Sequence, residues 1–73
     1  MKIYLVPVGI MKKYIIEREL EIETDFTAGT LIKMLNLSDK LKTICFLNGK
    51  RINPDHSFTE GDVVKIVSTF AGG

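Results

Sequence analysis

The chain has 73 residues, 45% of them apolar and 26% charged, with a formal net charge of +1. That length holds one domain, and the composition excludes a disordered chain. Ten basic residues dispersed among nine acidic ones, with no basic stripe interleaved with aromatics, argue against nucleic acid as a partner. The single cysteine, Cys45, excludes an internal disulfide and a cysteine-based zinc cluster. No apolar run approaches the roughly 20 residues of a membrane span, so no membrane partner is expected. Met1-Lys2 leads straight into a strand-like run without the pattern of a secretory leader, and the expected location is cytoplasmic.

In chain order, Ile3 to Val8 is apolar on both parities and predicts a strand covered on both faces. Pro7 has no amide donor and belongs near its end. Gly9 to Lys13 reads as a connection. From Tyr14 the pattern alternates: Tyr14, Ile16, Leu20 and Ile22 fall on one face, and Glu17, Glu19, Glu21 and Glu23 on the other. This period of two predicts a second strand with a dry and a wet side, forming a hairpin with the first. Asp25, Thr27 and Thr30 are capping residues for a short helix ending near Asn36, with Leu31, Met34 and Leu35 as its apolar stripe. Leu41 anchors the polar connector that follows.

Thr43 to Leu47 predicts a third strand, and Asn48-Gly49 a tight turn with both residues at positive φ. Lys50 to Ile52 returns as a short strand that Pro54 stops. Phe58 is the buried residue of the next loop, and Glu60-Gly61-Asp62 is a turn before the last strand, Val63 to Phe70. That strand is apolar on both parities, which places it at the sheet centre, parallel to the first across the helical crossover. The fold class is α+β, a mixed sheet of four or five strands packed on one helix. Residues 1–70 form the domain and 71–73, Ala71-Gly72-Gly73, a flexible tail. At roughly 3.5 Å per extended residue, the tail reaches about 10 Å beyond the strand.

The Leu47-Asn48-Gly49 turn, the Thr59-Glu60-Gly61-Asp62-Val63-Val64 stretch and the Gly72-Gly73 end, behind a hairpin and helix, resemble a ubiquitin-like β-grasp sulfur carrier. The families concerned are the small subunit of molybdopterin synthase and the thiamine-pathway sulfur carrier. The interval from Asn48 to Asp62, with Asp55-His56 inside it, is the more similar to the former. The resemblance implies a co-substrate rather than an enzyme, without a bound cofactor or metal. An adenylyltransferase of the ubiquitin-activating type would use ATP to adenylate Gly73. A sulfur donor such as a cysteine desulfurase or rhodanese would then displace AMP to leave a thiocarboxylate, and an acceptor synthase would take the sulfur. Such activation answers a physical need, because a free carboxylate, with a pKa of about 3.5, is ionised at neutral pH and a poor electrophile.

Gly73 and Gly72 are thus the reactive residues expected. Val64 and Ile66 should face the helix, leaving Val63 and Val67 outward, with Phe70 and Ala71, as a partner-binding patch. Two other readings stay open: a modifier conjugated through Gly73 to lysines, and a β-grasp interaction module with incidental glycines. Cys45, mid-strand, reads as a small buried hydrophobe. His56 reads as a solvated loop residue, because the adjacency of Asp55-His56-Ser57 does not supply triad geometry. The glutamate row reads as a solvated strand face.

Overall fold

The computed structural model describes residues 1–69. The expected tail, Ala71-Gly72-Gly73, and Phe70 lie outside the described residues. Five strands, β1 (Lys2–Pro7), β2 (Arg18–Glu21), β3 (Thr43–Leu47), β4 (Lys50–Arg51) and β5 (Val63–Ser68), form a sheet in the order β2-β1-β5-β3-β4. One helix, α1 (Ala28–Leu35), packs on it. The pairs β1–β2, β3–β4 and β3–β5 are antiparallel, and β1–β5 is parallel. β5 therefore lies at the centre beside β1, as its two-sided apolar pattern required.

The hairpin differs from its expected form. β2 begins only at Arg18, and Gly9–Lys13 coils into a 3-10 turn. Met11 accepts amide bonds from Tyr14 (3.0 Å) and Ile15 (2.9 Å), so this stretch is curled rather than pleated, and strand parity does not apply to it. Met11 and Ile15 enter the core, whereas Tyr14 and Ile16, assigned to the dry face, are 54% and 77% exposed. Past Arg18 the alternation holds: Ile22 is buried, Leu20 half-buried, and Glu19, Glu21 and Glu23 exposed.

Helix α1 starts where its first amides find acceptors outside the helix, as any helix start requires. Ala28 donates to the His56 carbonyl (3.0 Å), Gly29 to that of Pro54 (2.8 Å), and Thr30 to the Thr27 hydroxyl (3.3 Å). Gly29 also has to be small: a Cβ there would lie 3.1 Å from the Pro54 carbonyl oxygen. The helix ends at Asn36, whose left-handed φ of 49° stops it. Its core side is Ala28, Leu31, Ile32 and Leu35, while Met34, assigned to the stripe, is 47% exposed. Ile3, Leu5, Leu31, Val64 and Ile66 are fully buried between helix and sheet. Each contributes about 1.5–3 kcal/mol by leaving water.

Candidate functional site

The site is built on β5. Its register against β1 is set by the turn before it. Asp62 caps that turn by accepting the Thr59 amide on Oδ2 (2.8 Å), and Gly61, at φ 85°, donates its amide to the Lys2 carbonyl (2.8 Å). Tyr4 then donates to the Asp62 carbonyl (2.8 Å), and the Lys2 amide donates to Glu60 Oε1 (3.0 Å). These bonds leave the parallel ladder no freedom to slip by a residue, which would exchange the two faces of β5. At the far end, the Ser68 hydroxyl donates to the Leu41 carbonyl. Thr69 donates both its amide (3.2 Å) and its hydroxyl (3.1 Å) to the Lys42 carbonyl. The chain thus leaves the sheet from a fixed point, one residue before the expected patch member Phe70.

With Val64 and Ile66 sealed against the helix side, Val63, Lys65 and Val67 face the other way. Val63 is 48% exposed and Val67 half-buried. Register extends this row across neighbouring strands. Tyr4 stands opposite Val63 and Val6 opposite Lys65 on β1, and Ile44 stands opposite Val67 and Phe46 opposite Lys65 on β3. An apolar band therefore crosses three adjacent strands, interrupted by the Lys65 cation. At its β2 edge, Lys2 Nζ lies 3.5 Å from Glu19 Oε1. Glu19 also pushes the Tyr4 phenol pKa up, through a side-chain hydrogen bond first and its charge second.

Of the residues expected to bind partners, Val63 and Val67 are brought together with Tyr4, Val6, Ile44 and Phe46, which sequence reasoning missed. Their parity opposite Ile3, Leu5 and Cys45 was the available signal. It was silent because both parities of β1 and β3 are apolar. Phe70, Ala71, Gly72 and Gly73 lie outside the described residues.

The remaining candidates are placed elsewhere. Cys45 is buried on the helix side, 2% exposed, and burial pushes its thiol up to about 11. His56 is exposed, with its ring 6.3 Å from that of Phe58, and the carbonyl before Ser57 serves α1 as a cap. Among the described residues, no cluster of three His, Cys, Asp or Glu could hold a metal ion.

A family model described as the ThiS family matches residues 8–73. The chain belongs to the ThiS family. No curated protein matches this ThiS-family chain in sequence. Among solved structures it is similar to SAMP1 from Haloferax volcanii, with a TM-score of 0.77 and 11% identity over 100% of both chains. It is also similar to a protein described as molybdopterin converting factor, subunit 1, from Pyrococcus furiosus. That match has a TM-score of 0.76 and 16% identity over 92% of this chain and 95% of the other. A third is a Caldiarchaeum subterraneum ubiquitin, with a TM-score of 0.69 and 24% identity over 100% and 98%. At such identities the likeness is one of fold: this ThiS-family chain is a ubiquitin-like β-grasp protein. Membership supports a role as a sulfur carrier or ubiquitin-like modifier, with an activating enzyme and a synthase as the general kinds of partner.

Proposed function

We propose that the chain is a sulfur carrier whose Gly73 carboxylate is adenylated with ATP, converted to a thiocarboxylate, and spent in cofactor biosynthesis, molybdopterin ahead of thiamine thiazole. The observation that carries this reading is the anchoring of β5 at Ser68 and Thr69, two residues short of a Gly-Gly end, beside an apolar sheet face that Lys65 interrupts. A rigid exit point lets a docked body aim a short tail, which spares the partner much of the entropy of capturing a loose one. Chemistry on Gly73 needs no catalytic side chain from this domain, so the protein acts as a co-substrate. In the activation step, the carboxylate oxygen attacks the α-phosphorus of ATP and pyrophosphate leaves. A persulfide-bearing cysteine desulfurase or rhodanese then attacks the acyl carbon, AMP leaves, and reductive cleavage of the S–S bond by a thiol releases the thiocarboxylate. An acceptor synthase consumes it. Gly72 keeps the approach to this carbon narrow, and Val63, Val67, Phe70 and Ala71 belong to the docking face. The site of action is the cytoplasm.

The test is the intact mass of the untagged protein purified from its own host. Replacement of one oxygen by sulfur, mapped to Gly73, is the expected result. Absence of that species after incubation with ATP, a matching activating enzyme and a sulfur donor would overturn the carrier reading. The likeness in fold to SAMP1 and to a ubiquitin over the whole chain favours conjugation as a second reading. Isopeptide-linked products in the host lysate would distinguish it. Adding one residue after Gly73 should abolish either activity.

A further inference from the structure

The end of the molecule from which β5 departs carries a second surface, distinct from the sheet face. Ile10 from the 3-10 turn, Tyr14 just after it, and Leu37 and Leu41 from the connector after α1 line a groove of about 380 Å³ with Asn36 and Lys40. Ile10 is 38% exposed and Tyr14 54%, so its apolar wall is open to water. The groove is joined to the tail's exit through its own floor, because the Leu41 carbonyl accepts the Ser68 hydroxyl and the next carbonyl, of Lys42, holds Thr69.

Charge marks this end as well. Lys12, Lys13, Lys33, Lys40 and Lys42 are all exposed on the segments that build it, and none is in an ion pair among the described residues. The acidic residues in or next to those segments are Glu17 and Asp39. At the opposite end, around the start of β1, the acids Glu19, Glu21, Glu60 and Asp62 are interleaved with the cations Lys2, Lys50 and Arg51.

We propose that this groove docks an acidic partner segment, a short stretch that seats one or two large apolar side chains between Asp and Glu residues. The apolar wall requires an apolar anchor. Lys40 in the lining and the exposed lysines on the flanking segments attract acidic flanks and repel basic ones, over a range set by a Debye length of about 8 Å. A partner gripping both this groove and the sheet face would hold the exit of β5 from two sides. That consequence for delivery of the tail rests on the carrier reading.

The experiment is a titration of the isotopically labelled full chain with the blocked peptide Asp-Asp-Leu-Phe-Asp-Glu, followed by amide shifts at about 50 mM and about 300 mM salt. Saturable shifts confined to Ile10–Tyr14 and Asn36–Lys42 are expected. Affinity should fall several-fold at the higher salt and about tenfold in a K12E/K40E double variant, whose substitutions are at exposed positions. The proposal is overturned by an absence of saturable shifts, by shifts centred on Tyr4, Val63 and Phe46, or by equal binding of a peptide with Lys in place of its acidic residues. Tighter binding of a single-stranded oligonucleotide than of the peptide would also overturn it. Peptide binding needs no chemistry at Gly73. A chain that binds the peptide yet never gains sulfur counts against the carrier reading alone, and one that gains sulfur yet ignores the peptide counts against the groove alone.

Discussion

Truncating Val63 and Val67 together to Ala tests the sheet face as a docking surface. Each substitution removes two methyl carbons, worth about 0.8 kcal/mol apiece when moved from water to an apolar contact. Val63 is 48% exposed and Val67 less, so about half of that transfer, or less, remains for a partner to complete. The pair should therefore lose about 1–1.5 kcal/mol of binding, close to tenfold in Kd. The portion already buried in the free domain costs folding a similar amount, with a further few tenths from weaker strand propensity. A domain of 73 residues has about 4–11 kcal/mol of stability at 0.05–0.15 kcal/mol per residue, so the variant stays folded. Calorimetric titration against the activating adenylyltransferase gives Kd, and urea unfolding run beside it gives stability. Met34→Ala, 47% exposed on the helix, is the control that should leave Kd unchanged. An intact double variant with unaltered affinity would refute the docking argument.

Leu31→Ala empties the centre of the helix–sheet contact, where Leu31 is 0% exposed. It should cost about 2–5 kcal/mol, read as a lowered urea midpoint, and a loss under 1 kcal/mol would show that the core closes over the gap. Cys45 gives a pH signature. Its thiol is raised from 9.0 to about 11 by burial, so the unfolded chain ionises first as pH rises. The contribution to stability is whole below about pH 9 and is lost between about pH 9 and 11, at up to about 1.4 kcal/mol per pH unit. Urea unfolding across that range should show the slope, and Cys45→Ala should flatten it.

Much of the fold was legible because its elements are delimited by local chemistry. Thr27 caps α1 through its hydroxyl, Asn36 stops it in the left-handed region, and Asn48 and Gly49 take φ of 54° and 79°, as the turn between two short strands demands. Such features are decided within a few residues and need no distant partner. The stretch before β2 failed for the complementary reason. Tyr14, Ile16, Glu17 and Glu19 alternate, but the 3-10 turn directs Met11 and Ile15 inward, a choice made by packing against β5 rather than by local pattern. The lysines looked dispersed along the chain, and only the return of the connector to the end of β5 gathers Lys40 and Lys42 with Lys12 and Lys13.

By itself, the sequence determined the order of elements, the central place of β5, its inward pair Val64 and Ile66, and the Gly-Gly end that points to carrier chemistry. The tertiary structure alone decided which residues join Val63 and Val67 on the outer face. β1 and β3 are apolar on both parities, so hydrophobic pattern cannot choose between their faces. The choice falls to the register imposed by the Asp62 turn and the parallel ladder, which sets Tyr4 beside Val63 and, across β5, Ile44 beside Val67. Register is a relation between segments far apart in the chain, and the energy that selects it exists only once they meet.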